Sequence, residues 1–154
     1  MSTVGILDGQ LTRELRRSVL RPALAPDAPL PGDDVPDGVH FGATDAGAVV
    51  CTCFVYADPC PWLPERPAWH LRQMATAPQR RGEGLGADVV AAAADYVRSQ
   101  GAELLWCNAR ESAVGFYARC GFAAHGGSFT DEQHPIPHRR MVRELSPAPT
   151  SSAG

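Results

Sequence analysis

A single α/β or α+β domain on a mixed sheet is what this sequence predicts, on three observations. Short β-forming runs alternate with helical patterns before the chain closes on a hairpin-like pair. The longest helical pattern, Leu85, Val89, Val90, Ala93, Tyr96 and Val97, follows an apolar strand through a glycine-rich turn. Finally, 154 residues suffice for one core that removes roughly two-thirds of the unfolded surface from water without disulfides or metals.

Taken in order, Leu11, Leu15 and Val19 fall four apart and mark a helix closed by Pro22. Arg13, Arg16, Arg17 and Arg21 fall mostly on its other faces and read as a solvated set, with binding of carboxylate groups as the alternative. Pro22 to Pro36 is rich in proline and aspartate and reads as loop. Val39–Thr44 and Val49–Tyr56 flank the turn Asp45-Ala46-Gly47 as an antiparallel hairpin, its second strand apolar on both faces. Asp58 to Pro67 carries four prolines and cannot be a central strand. In the strand Trp69–Met74 the apolar residues Leu71 and Met74 are three apart, so the alternation slips, as at a β-bulge that leaves backbone groups unpaired. Gly101 stops the long helix, and Glu103–Cys107 gives the next strand. Asn108 ends that strand and can cap a helix lined by Ala113, Phe116, Tyr117 and Cys120, with Glu111 bonding back to the cap. Phe122–Thr130 and His138–Leu145 are weaker strands, and Ser146–Gly154 is a Pro/Ser/Ala tail expected to be disordered.

The formal net charge of −3 argues against a sequence-wide surface for nucleic acid or anionic membrane. No apolar run reaches the ~20 residues that span a bilayer, and Met1–Gln10 has no signal-peptide pattern, so the expected compartment is the cytoplasm. Five cysteines, an odd number, read as small core residues and not as a paired framework or a metal site; no metal is expected. All 14 basic residues are arginine, which excludes a lysine Schiff base.

Met74 to Ala87 is the centre of the chain's chemistry. Glycines at 82, 84 and 86 remove side chains beside a helix start whose first N–H groups are free to bind an anion, with Arg80 and Arg81 adding positive charge. Physics alone makes this a phosphate or pyrophosphate cradle. A P-loop would need lysine, and the G-x-G-x-G spacing is not the dinucleotide fingerprint G-x-G-x-x-G.

Arg81-x-x-Gly84-x-Gly86 resembles the Q/R-x-x-G-x-G/A signature of the GNAT superfamily of acyl-CoA-dependent N-acyltransferases, and Leu105–Phe122, with its asparagine and Phe-Tyr-x-x-x-Gly-Phe, resembles that superfamily's second block. The similarity spans about Leu11 to Leu145 and implies one GNAT domain over residues 1–145, with six or seven strands and about four helices, splayed between strands 4 and 5. It implies acetyl-CoA as co-substrate. The main chain of Met74, Ala75 and Thr76 would hold pantetheine, with the Met74 N–H as donor to the thioester oxygen. Arg81, Gly82, Glu83, Gly84, Leu85, Gly86 and Ala87 would hold the pyrophosphate. Asn108 matches a pantetheine contact, and Tyr117 the tyrosine that protonates the leaving thiolate.

Attack by an amine on a thioester also needs a base near neutral pH. His138 is the candidate, since histidine titrates in that range and this one lies on a strand near the acceptor side. His40, His70, His125, His134, Glu65, Asp33 and Asp34 compete, the last two also as amine-binding carboxylates in the loop. The leading expectation is an N-acetyltransferase acting on a primary amine, in a small molecule or a peptide, by direct attack. The alternatives are a non-catalytic CoA-binding sensor on the same fold and an unrelated nucleotide-binding domain. Acceptor identity and oligomeric state stay open, a homodimer included.

Overall fold

The computed structural model describes residues 2–30, 33 and 35–145. The expected disordered tail and the candidate acid Asp34 lie outside them. The elements run β1 (Thr3–Leu7), α1 (Gly9–Leu20), β2 (Val39–Asp45), β3 (Ala48–Ala57), β4 (Ala68–Thr76), α2 (Leu85–Ser99), β5 (Leu104–Arg110), α3 (Val114–Arg119), β6 (Ala123–Phe129) and β7 (His138–Glu144), with 3-10 turns at Pro78–Arg80 and Glu111–Ala113. The seven strands form one mixed sheet in the order β1-β2-β3-β4-β5-β7-β6. β4 and β5 are parallel over only three pairs, ending at His70↔Trp106, whereas β1–β2, β2–β3, β5–β7 and β6–β7 are antiparallel. Strand β1 was not anticipated: five residues with no alternation of burial carry little signal. Among the described residues the α-helices number three, not four.

Contacts divide the chain into two compact units, one carrying the chain up to Ala57 with Leu71–Ala93, the other Asp58–His70 with the chain from Ala94 on. In the first, the hairpin closes on Ala46 (φ 51°) and Gly47 (φ 82°), with Asp45 opposite Ala48. Two left-handed residues make the tight turn that matches strand twist. Val50, Cys51, Cys53, Phe54 and Val55 of β3 are all buried, as the two-sided apolar pattern requires.

Helix α1 departs from expectation. Its start is capped by the Asp8 carboxylate, which accepts the Gln10 N–H at 2.9 Å, but the buried face is Thr12 and Arg16, while Leu11 is 62 % exposed. The pair Thr12/Arg16 has the same four-residue spacing as the leucines, one position round the helix. An arginine takes the inner face when its donors are satisfied there, a condition that a hydrophobic pattern cannot reveal.

The second unit has its own small core, Cys60, Ala68, Leu104 and Trp106, with Trp62, Leu63 and Val142 packed against it. The proline-rich stretch supplies part of this core through the turn that the Leu63 N–H makes to the Cys60 carbonyl. Strand β5 continues to Arg110, where it pairs with His138. Asn108 therefore lies inside the strand, opposite Arg140, and neither following helix has a side-chain cap. Glu111 bonds Arg139 instead of the cap. The β7 partner supplies the ladder that the sequence alone could not place, and the Glu111 N–H, which an Asn108 cap would hold, goes to the Pro137 carbonyl at 3.0 Å instead.

Candidate active site

The glycine-rich turn leaves β4 through Ala77, whose N–H is held by the Val50 carbonyl at 2.9 Å. After one 3-10 turn, Gly82 (φ 84°) and Gly84 (φ 80°) take left-handed conformations that other residues enter only at a cost. A Cβ at either position would meet nothing within 4 Å. These glycines therefore answer to backbone shape and leave open space beside it. The first bond of α2 runs from the Asp88 N–H to the Gly84 carbonyl. The amides of Leu85, Gly86 and Ala87 thus precede the helical ladder and form the positive end of a 15-residue helix, while the Leu85 side chain anchors the start in the core.

One charge expected beside the cradle is spent elsewhere. Arg80 bonds both carboxylate oxygens of Glu83 (3.0 and 2.9 Å) and pairs with Asp45 at 2.9 Å. It braces the turn instead of offering free charge. Arg81 is exposed.

The slip read in β4 has a physical form. Gln73 stands at φ 57° within the strand, a left-handed residue where extended backbone is the rule. Ala75 is buried, Met74 and Thr76 are half-buried, and the Thr76 hydroxyl lies 3.3 Å from Cys51 Sγ. The Gln73 side chain accepts a bond from Arg16, whose guanidinium is 3 % exposed and also bonds Asp33, Thr12 and the Gly9 carbonyl. Asp33, offered as an amine-binding acid, is thus ion-paired to Arg13 and Arg16. Burial works to raise its pKa, and the Leu30 amide and the arginines outweigh that and lower it.

In the second unit Tyr117 lies on α3, 5 % exposed, its ring edge-on to Phe116 and Phe122 at 5.0 and 5.3 Å. His138 opens β7, opposite Arg110 on β5 and Phe129 on β6. Its Nδ1 lies 2.7 Å from the Ile136 carbonyl, which can only accept, so Nδ1 donates that bond and, in the neutral ring, Nε2 is left with the lone pair. The competing histidines are engaged. His70 stacks on Trp106 at 3.7 Å and faces Asp58 at 3.3 Å, His125 stacks on Trp62 at 4.7 Å, and His134 faces Asp131 at 2.8 Å. In the first unit burial, then the Arg16 charge, hold His40 down to about 4, so it stays neutral at pH 7. Glu65 is exposed.

The acetyltransferase (GNAT) family model matches residues 11–122, a stretch that contains the glycine-rich turn, the bent strand and Tyr117. The chain belongs to the GNAT family. It is 28 % identical over 130 residues to the uncharacterized N-acetyltransferase YitI of Bacillus subtilis, covering 84 % of this chain and 85 % of that one. Its fold is similar to that of a putative N-acetyltransferase from Lactobacillus plantarum (TM-score 0.75, 15 % identity, 94 % and 99 % of the two chains). An aminoglycoside 6'-N-acetyltransferase solved with coenzyme A shares it too (TM-score 0.70, 15 % identity, 96 % and 99 %).

The protein is therefore an acyltransferase of the GNAT type, a family that uses acyl-CoA and amine acceptors. His138 lies beyond the matched stretch. Among the described residues no helix is long and apolar enough to cross a membrane, and no three His, Cys, Asp or Glu side chains are placed to hold a metal ion. Cys51, Cys53, Cys60 and Cys107 are buried and Cys120 partly so; burial is the main cause in each, and it raises all five thiols, the opposite of what a nucleophile needs. The bond between Arg16 and Gln73 was not anticipated. The Thr12/Arg16 spacing was visible, but nothing in the letters marks Gln73 as their partner.

Proposed function

We propose that this protein transfers the acetyl group of acetyl-CoA to a primary amine, in a small molecule or a peptide, by direct attack within the cytoplasm. The amides of Leu85, Gly86 and Ala87, with the open backbone from Arg81 through Glu83 to Gly84, receive the pyrophosphate. The main chain of Met74, Ala75 and Thr76 holds the pantetheine arm, which Asn108 also contacts. The observation that carries this is the opening of α2: three amides ahead of the first helical bond, beside two left-handed glycines with nothing in the place of their missing Cβ atoms.

The amine nitrogen attacks the thioester carbonyl, and the Met74 N–H steadies the oxygen as it gains charge. His138 Nε2 takes the amine proton, the C–S bond breaks, and Tyr117 gives its proton to the leaving sulfur. Family membership and the Phe-Tyr-x-x-x-Gly-Phe run support the tyrosine's part; the tautomer fixed by Ile136 supports the histidine's.

The test is thiol release from acetyl-CoA across amino acids, polyamines, aminoglycosides and peptides, run beside calorimetry with CoA. Turnover with one acceptor class and its loss in Tyr117→Phe are expected. Tight CoA binding with no turnover for any amine would make the protein a sensor, and no heat with CoA or acetyl-CoA would overturn the proposal altogether.

A further inference from the structure

We infer that Arg16, a residue of helix α1, is a positioning residue for acyl transfer: through Gln73 it sets the direction of the Met74 N–H. The inference rests on the role proposed above for that N–H.

Gln73 and Met74 share a peptide group, and the orientation of that group follows from the backbone angles of Gln73. Those angles are unusual. At φ 57° Gln73 sits where a side chain with a Cβ is disfavoured, and such a residue persists only when its surroundings hold it there. Arg16 bonds its side chain. Nη1 donates to Gln73 Oε1 at 2.8 Å and to Asp33 Oδ1 at 3.0 Å, Nε to Thr12 Oγ1 at 3.0 Å, and Nη2 to the Gly9 carbonyl at 3.3 Å.

The anchor is itself fixed. Arg16 is 3 % and Thr12 0 % exposed, and the Thr12 hydroxyl donates to the Gly9 carbonyl at 2.8 Å. Asp33 is gripped besides by Arg13 and by the Leu30 N–H. A guanidinium has a rigid planar fork of donors, and here three side-chain acceptors and one backbone carbonyl occupy it, so its position leaves little freedom. A lysine ammonium could reach one or two of these acceptors and would release the rest.

Buried charge of this kind is no economical route to stability. Its placement against the one left-handed residue of β4, immediately before the proposed oxyanion donor, is what a catalytic strand needs: a donor aimed before substrate arrives.

The experiment compares Arg16→Lys, Gln73→Gly and the double variant. Glycine enters the left-handed region freely, so Gln73→Gly keeps the bend accessible while cutting the tether. With acetyl-CoA and the best amine of the screen, each single variant should lower kcat by about tenfold or more, the scale on which mis-aimed oxyanion donors act. KM for acetyl-CoA should stay within a factor of about three, because only the transition-state contact is affected. The double variant should lose no more than the worse single one, since both cut the same link. Gln73→Glu, which keeps an acceptor for Arg16, should recover most of the rate.

A second readout needs no activity. In amide NMR spectra of the apo protein, the Met74 signal should move in Arg16→Lys and Gln73→Gly, while those of Gly84 and Gly86 stay in place. An unmoved Met74 amide, or additive losses of kcat in the double variant, would overturn the inference. If the Met74 amide moves but no variant changes turnover, the Arg16–Gln73 link stands and the role given to the Met74 N–H fails. A wild type that neither binds nor turns over acetyl-CoA fails the functional proposal instead.

Discussion

Arg80 Nη1 lies 2.9 Å from Asp45 Oδ2 at the end of β2, while its Nε grips the carboxylate of Glu83. One side chain thus ties the turn ahead of α2 to the β2–β3 hairpin. Both carboxylate partners stand at the surface, where ion pairs add little to global stability. Arg80→Ala should therefore leave the melting temperature almost unchanged and weaken CoA binding several-fold by loosening the turn. Calorimetry with CoA reads this directly, and an unaltered Kd would remove Arg80 from any part in shaping the cradle.

Gly84 offers a cleaner backbone test. An added Cβ would touch nothing, so Gly84→Ala isolates the cost of φ 80°, about 1–2 kcal/mol for an L-residue forced left-handed. Urea unfolding should show that loss, and CoA affinity should fall as the methyl group narrows the cradle. Gly5→Ala on β1 also meets open space, without the left-handed angle, and should be neutral or slightly stabilising. Equal effects at the two positions would show that backbone conformation is not what Gly84 is for.

The His40 ring carries the clearest pH signature. Its pKa falls from 6.5 to about 4, through burial first and the Arg16 charge second, with Asp33 and Asp8 pulling the other way. Between those values the unfolded chain binds a proton that the folded chain refuses, so stability is full above 6.5 and declines as the pH falls toward 4. The whole shift corresponds to at most about 3 kcal/mol, and water at the half-buried ring lowers that figure. Urea titrations from pH 7 to pH 4 should show a steeper decline for the wild type than for His40→Gln. Parallel curves would refute it.

Tyr117→Phe keeps the ring that packs on Phe116 and Phe122 and removes only the hydroxyl. Stability should fall by at most about 1.5 kcal/mol, the scale of one hydrogen bond, in contrast to Tyr117→Ala, which empties a buried site at about 3–5 kcal/mol. Thiol release should drop by about ten- to a hundredfold, below the full range for acid catalysis because a thiolate can depart without its proton. A Tyr117→Phe enzyme with wild-type kcat would return the residue to the core and nothing more.

The sequence carried the fold where pattern and partner are local. The hairpin at Ala46-Gly47, the apolar β3 and the α2 stripe from Leu85 to Val97 stand where periodicity puts them. It misled where a distant strand or a polar partner decides. Asn108 has the letters of a cap, yet β7 pairs through it. Leu11 has the letters of a core residue, yet Thr12 and Arg16 are inside, because Asp33 and Gln73, 17 and 57 positions further on, satisfy the arginine. The bend of β4 was legible as a slip between Leu71 and Met74; that a buried arginine bonds the Gln73 side chain there was not.

Burial of Cys51, Cys53, Cys60 and Cys107, with Cys120 half-covered, reaches into the laboratory as well. An aromatic disulfide dye added to the native enzyme will find at most one sluggish protein sulfur, so its colour reports the coenzyme liberated in each turnover. The remaining sulfurs answer the dye only when the chain opens, and the same cuvette can then follow denaturation.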